Sequence, residues 1–329
     1  MVEGSRGLEP SEGIRRAFLP ERGRWLTWGH NWRSSGGDLV LLAVPGQEIV
    51  GQELLRWWQE SIEQGCDMLP APVKEPVFQN GVCWLAFSAP AKGKSVAAGR
   101  LTKKQRLCLA AELGRLHRRA AGWPAYLPEG AVEYWCRTLQ ERLGELLLYR
   151  GIVRRRGCRT DIEGLFMENF EQCYQRGQEA VNHFLYIDRQ QLEEAGKGWA
   201  FWGISGKEIL WQEDKPYFYG IWPYCGLEMM DLSLLLKTLF ALKGERGGEL
   251  PGLIQAYCRE RGPLTAVDES SLQAQWLFPE GYWYYARQYF LRQELPDQTT
   301  MKQEFHYWEA SLLKEKRLLA LFDRQWKKG

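Results

Sequence analysis

Four short stretches of the chain carry residue types that can do chemistry. Gly93-Lys94-Ser95 has the glycine, lysine and hydroxyl of a phosphate-cradling loop. Such a loop needs a second glycine five residues before Gly93, and Ser88 stands there, so that reading is set aside. The run RRRGCR (154–159) could hold phosphate or nucleic acid. It lies between helical patterns with little aromatic interleaving and reads as a solvated loop. His117, in LGRLHRRAAG, could serve as a base, but a single histidine on a helix more often packs or hydrogen-bonds. Asp231, in MMDLSLLL, stands where a carboxylate can cap the free N–H groups of a helix start.

Composition removes several other chemistries. The eight cysteines include no C-x-x-C pair and the four histidines are isolated, which speaks against a zinc site or disulfide framework and for a reducing compartment. A formal charge of +2 lacks the basic excess of a nucleic-acid binder. The N-terminus MVEGSRGLEP has no apolar core of a secretory signal. LSLLLKTLFAL is interrupted by Lys237 and falls short of the roughly 20 apolar residues of a membrane span. A soluble, globular protein follows, with 45% hydrophobic and 26% charged residues, and its sixteen tryptophans are expected mostly in packing. A chain of 329 residues suits one large or two lobes.

The elements around these residues divide near residue 90. GRWLTWG alternates as a strand, NWRSSGGD reads as a turn, and LVLLAV as a short buried strand. Residues 45–65 have mostly helical spacing and end at Gly65. Two strands then flank Asn80-Gly81, a strong hairpin signal. SAPAKGKSVAAGR suits a linker. Beyond it a helix starts at Thr102 as N-cap and closes at Gly122, with Leu107, Ala110, Leu113 and Leu116 inward. Two long helices follow, then β-structure over 199–222, then helices at 231–243, 250–260, 268–277, 279–293 and 301–327.

A small β-rich lobe, a hinge and a helical lobe containing one β-region resemble the protein-kinase-like fold. LAAELGRLHRRAAG (109–122) resembles the helix before the catalytic region of aminoglycoside and choline kinases, and DLSLLL (231–236) their D-L-A-x-L-L helix start. LIQAYCRERGPLTAVDESSLQAQWLFPEGYWYYARQYF (253–290) and KEKRLLALFD (314–323) resemble the tail of the bacterial spore-coat protein S family. The resemblance implies an α+β, two-lobed fold: a small antiparallel N-lobe sheet with one helix over 1–90, its first ~20 residues prone to disorder, and a larger, mainly helical C-lobe over 91–329.

It also implies a chemistry from which the chain departs. Phosphoryl transfer in such folds rests on positioning and charge neutralisation. An active member carries H-G-D-x-x-x-x-N before a strand, I-D-[FW] on a later strand, and a lysine on an N-lobe strand. Here the H-G-D positions hold Phe201, Trp202 and Gly203 with Glu208 in place of asparagine. Shifted by one, they hold Trp202, Gly203 and Ile204 with Ile209 there. The metal triplet maps to Tyr219-Gly220-Ile221 or Gly220-Ile221-Trp222, and residues 39–44 contain no lysine. In related kinases the aspartate matching Asp231 braces the catalytic loop.

The expected function is therefore a kinase-fold protein without phosphotransferase activity, binding other proteins, spore-coat components among them. Its expected location is the cytoplasm or spore coat, with no nucleic acid and no membrane span. Phe201, Trp202, Tyr219 and Trp222 would line the former catalytic region, and no residue is assigned a catalytic, cofactor-binding or metal role. The alternative is an active small-molecule phosphotransferase using Mg-ATP through displaced carboxylates drawn from Asp188, Asp214 and Glu228, with Glu208 a lesser metal candidate.

Overall fold

The computed structural model describes residues 25–28, 31–34, 39–45, 48–66, 69–88, 94–95, 100–121, 131–186, 199–202, 209–218, 222–225, 227–240, 249–292, 300, 303–310, 312–313, 316–317 and 320. In chain order the elements are β1 (Trp25–Trp28), β2 (Asn31–Ser34), β3 (Leu39–Pro45), α1 (Glu48–Glu63), β4 (Val77–Gln79), β5 (Val82–Ser88) and β6 (Lys94–Ser95). They continue with α2 (Lys103–Ala120), α3 (Ala131–Arg156), α4 (Asp161–Tyr186), β7 (Trp199–Trp202), β8 (Ile209–Gln212), β9 (Lys215–Phe218) and β10 (Trp222–Cys225). Helices α5 (Glu228–Phe240), α6 (Leu250–Arg261), α7 (Ala266–Leu277) and α8 (Glu280–Phe290) complete the series. The first ~20 residues lie outside the described set.

The first five strands form one antiparallel sheet in the order β1-β2-β3-β5-β4. The stretch Asn31–Ser34, expected as part of a turn, is instead a strand paired with both neighbours, Trp28 opposite Asn31 and Trp32 opposite Leu41. Gly29-His30 makes the two-residue connection before it, a weaker turn signal than Asn80-Gly81. The expected hairpin at Asn80-Gly81 is present, with φ of 53° and 74°, the left-handed pair that suits the twist of the flanking strands. Val82 to Phe87 are all buried, so β5 is covered on both faces, which is why it reads as an unbroken apolar run. Trp58 of α1 stacks on Phe87 at 4.5 Å and donates its indole N–H to the Pro70 carbonyl at 2.8 Å.

The chain divides into two compact units, residues 1–126 with 197–263, and 127–196 with 264–329. In the first, α2 begins with a capping box: the Gln105 N–H donates to Thr102 Oγ1, and the Thr102 N–H to Gln105 Oε1. Helix α6 crosses α2 so closely that a Cβ on Gly114 would lie 2.4 Å from the Tyr257 carbonyl oxygen.

The second unit packs around rings. Phe166 stacks on Tyr282 at 5.3 Å, with Phe170, Phe290 and Trp308 around them, and the Tyr282 hydroxyl donates to the Phe166 carbonyl at 2.7 Å. Arg154 to Arg156, expected in a loop, are the last turn of α3, which Gly157 ends at φ 78°. Buried Glu163 then gathers the Arg156 guanidinium, the Arg159 N–H at 2.7 Å and the Tyr289 hydroxyl at 3.0 Å. Every tryptophan whose side chain is described (57, 58, 84, 211, 276, 283 and 308) is buried, as packing requires. An antiparallel sheet with one helix followed by a mainly helical chain is the expected α+β, protein-kinase-like fold.

Candidate functional site

The β-region after α4 supplies the positions at which a kinase-like fold does chemistry. Strands β7 and β10 pair antiparallel, Trp202 opposite Trp222 and Trp199 opposite Cys225. Strands β8 and β9 form a hairpin, Ile209 opposite Phe218 and Gln212 opposite Lys215. Residues 203–208 therefore run from Trp202 to Ile209, and 219–221 from Phe218 to Trp222, so both connections start and finish on paired residues at one end of each ladder. The motif mapping read from the sequence puts most of the catalytic loop on the first connection and the metal triplet on or beside the second. Their residues, GISGKE and YGI, include one acid, Glu208, and both lie outside the described set with Tyr219. Strand register sets two tryptophans opposite each other, and Phe201 opposite Pro223, immediately before and after these connections.

Lys94 and Ser95 of the GKS stretch lie in β6, paired with Trp211 and Leu210 of β8. An extended strand turns alternate N–H groups to opposite sides and cannot wrap a phosphate, which agrees with setting that motif aside. Strand β3, where the fold would carry its lysine, is LVLLAVP, and its Leu41 is fully buried.

Beside the β-region lies a buried polar chain. His117 of α2 is 0% exposed; its Nε2 is 3.0 Å from Asp231 Oδ2 and its Nδ1 is 2.8 Å from the Tyr257 hydroxyl. An ionised carboxylate only accepts, so Nε2 donates to Asp231, and a neutral ring then accepts the Tyr257 O–H at Nδ1. The three side chains tie α2, α5 and α6 together. Full burial denies His117 contact with any substrate and fits the packed, hydrogen-bonded histidine expected from the sequence.

Asp231 is not an N-cap. Helix α5 begins three residues earlier, at Glu228, and Asp231 is its fourth residue, aimed at α2. Met229, Leu232 and Leu236, buried at helical spacing, carry the helix back past the aspartate. Asp231 and Tyr257, the partners of His117, stand 114 and 140 residues from it in the chain, and no local pattern announces them. The one available hint is that Gly114 and His117 share the apolar face of α2 with Leu113 and Leu116.

Two of the displaced carboxylates can be placed. Asp214 sits in the β8–β9 turn, 59% exposed, 2.6 Å from Lys104 Nζ, a pairing that raises the lysine pKa. That turn is the far end of the hairpin from Ile209 and Phe218, about 10 Å away at ~3.4 Å per residue. Glu228 is buried and held 2.9 Å from Arg261 Nε. Asp188 lies outside the described residues. A magnesium–nucleotide complex needs carboxylate oxygens converging on one point. Asp214 points into solvent at the wrong end, and Glu228 is neutralised by arginine. Among the described residues no group of three His, Cys, Asp or Glu could hold a metal ion. Among the described residues, Asp214 and Glu228 are each paired with a basic side chain, Lys104 and Arg261. Among the described residues, too, no helix is long and apolar enough to cross a membrane.

No family model matches the sequence, and no curated protein matches it. Solved structures do. The chain is similar to an aminoglycoside phosphotransferase from Alicyclobacillus acidocaldarius subsp. acidocaldarius, with a TM-score of 0.72 and 13% identity over 93% of each chain. It is also similar to a spectinomycin phosphotransferase in complex with ADP and spectinomycin, with a TM-score of 0.56 and 12% identity over 90% of this chain and 93% of that one. At such identities the likeness speaks for the fold alone: the chain has the aminoglycoside-phosphotransferase type of protein-kinase-like fold.

Proposed function

We propose that this chain is a kinase-fold protein that has left phosphoryl transfer behind and serves as a binding or structural component, associated with the bacterial spore coat. One observation carries the loss of chemistry. The two connections between the paired strands of the β7–β10 and β8–β9 ladders hold GISGKE and YGI where an active member needs a base, an asparagine and a metal-binding aspartate. Two described carboxylates of the region are committed elsewhere, Asp214 to Lys104 and Glu228 to Arg261.

The magnitude favours loss rather than attenuation. Removing one preorganised electrostatic group costs ~3–4 kcal/mol of transition-state stabilisation. Such groups act as a unit, so the costs do not sum. Even a saturated loss near ~8 kcal/mol is about a million-fold in rate. The tryptophan pair at Trp202 and Trp222, with Phe201, suits a surface for protein contact in which aromatic rings replace charge. The coat assignment rests on the sequence resemblance at 253–290 and 314–323.

The test is a turnover assay. Purified chain is incubated with Mg-ATP and a panel of hydroxylated acceptors, aminoglycosides and choline among them, and ADP release is measured. The expected release equals the protein-free blank for the native chain and for Glu208→Gln. Release above the blank that Glu208→Gln abolishes would overturn the reading.

A further inference from the structure

Among the described helical glycines, Gly164 and Gly252 stand in the first turns of α4 and α6 and meet nothing closer than 3.7 Å, and those further inside helices are of two kinds. At Gly114 and Gly177 a Cβ would come within 2.4 Å of the Tyr257 carbonyl oxygen and 2.5 Å of Leu143 Cδ2, so packing inside the chain accounts for both. At Gly144 and Gly151, in the middle of α3, a Cβ would meet nothing within 4 Å. Glycine in a helix interior is less favourable than alanine because it gives up more backbone freedom on folding. At these two positions nothing among the described residues offsets that cost. They lie seven residues apart, two helical turns, and so fall on one line along the helix. Leu147 and Leu148 flank that line between them, 44% and 56% exposed.

The stripe is symmetric about a point between the two leucines. Glu141 stands three residues before Gly144, and Arg154 three residues after Gly151, both exposed. Turn a second copy of α3 end over end about that point. Gly144 then meets Gly151, leucines meet leucines, and Glu141 comes beside Arg154. This is the self-complementary pattern of a two-fold interface, in which residue i contacts j and j contacts i. Glycine at the crossing lets two backbones approach closely, as Gly114 does for α2 and α6. The present partner of Glu141 is Arg137 at 3.7 Å, with both side chains 67% exposed, a pair that solvent screens and that is readily exchanged.

We propose that α3 is the seam of an antiparallel homodimer: a second copy of this chain lays Gly144, Leu147, Leu148 and Gly151 across its own, and Glu141 of each copy pairs with Arg154 of the other. A seam about 20 Å long, one helix against one helix, is small beside the interfaces of permanent dimers. The association is therefore weak and concentration-dependent. It stands independently of whether the chain transfers phosphate.

Sedimentation velocity from about 1 µM to about 200 µM tests it. The native chain is expected to move with concentration toward twice its 38.2 kDa mass. Glu141→Arg and Arg154→Glu each place like charges across the seam and are expected to stay monomeric, while the double reversal restores the dimer. Gly144→Ala with Gly151→Ala is expected to weaken the dimer at least tenfold while raising the melting temperature of the dilute monomer, which shows that the fold is intact. A native chain that is monomeric throughout, a dimer indifferent to these variants, or single reversals that the double fails to rescue would overturn the proposal.

Discussion

Substituting Gly114 by alanine tests the most demanding packing contact in the first unit. The added Cβ would stand 2.4 Å from the Tyr257 carbonyl oxygen and 3.2 Å from Glu260 Cβ, where ordinary contact begins near 3.4 Å. Backbone cannot swing aside as a side chain can, so α6 must recede by about 1 Å. Tyr257 and His117 are joined at 2.8 Å, and the same shift stretches their bond beyond hydrogen-bonding reach. Overpacking costs ~1–3 kcal/mol and the lost buried hydrogen bond ~1 kcal/mol, against ~1 kcal/mol returned by alanine's better helix propensity. A net loss of about 2 kcal/mol corresponds to a fall of roughly 4–8 °C in melting temperature for a unit of this size. Calorimetry reads the shift. A cycle with Tyr257→Phe reads its cause, because that change should cost ~1 kcal/mol in the native background and nearly nothing alongside Gly114→Ala. Native-like stability of Gly114→Ala, or an equal Tyr257→Phe cost in both backgrounds, would refute the close crossing.

Other substitutions follow from the same geometry. Asp231→Ala removes the carboxylate from a fully buried histidine and should cost ~2–3 kcal/mol in urea denaturation, more than the ~1 kcal/mol of a lost N-cap. Asp214→Ala breaks only an exposed pair and should leave the urea midpoint unchanged. Glu163→Ala leaves the Arg159 N–H and the Arg156 guanidinium without their acceptor, takes one of two partners from the Tyr289 hydroxyl, and should cost ~3 kcal/mol. The hydrogen bond from Arg115 holds the Glu260 carboxyl below its ordinary 4.5. A depressed carboxylate stabilises the fold above its unfolded pKa and loses that contribution as pH falls through the folded one. Glu260→Gln should therefore lower stability at pH 7 and converge on the native chain below pH 4.5, as melting temperatures across that range will show.

What the sequence disclosed and what it withheld divide along physical lines. Local signals worked where a few neighbouring residues decide the conformation: Asn80-Gly81 for a left-handed turn, Thr102 for a cap, the apolar run 82–87 for a strand covered on both faces. They failed where pairing decides. Asn31–Ser34 looks like a turn by composition, yet two neighbouring strands satisfy its backbone and override the preference. Asp231 looks like a cap because it opens the obvious leucine run, while Met229, one turn earlier, is already buried. His117 was legible as a packed residue, but its bonds to Tyr257 and Asp231 arise from the crossing of three distant helices. For the candidate site the reverse holds. The absence of aspartate, asparagine and histidine from 201–208 is a sequence fact, whereas the turn position of Asp214 and the arginine on Glu228 needed coordinates.

The central claim, that this fold has kept its frame and lost its nucleotide chemistry, is tested most directly by a thermal-unfolding titration with Mg-ATP. A true binder at a hundred times its dissociation constant gains ~2.7 kcal/mol of stability. The expected result is an unchanged melting temperature at every nucleotide concentration, with or without magnesium. A saturable, magnesium-dependent rise would contradict the account.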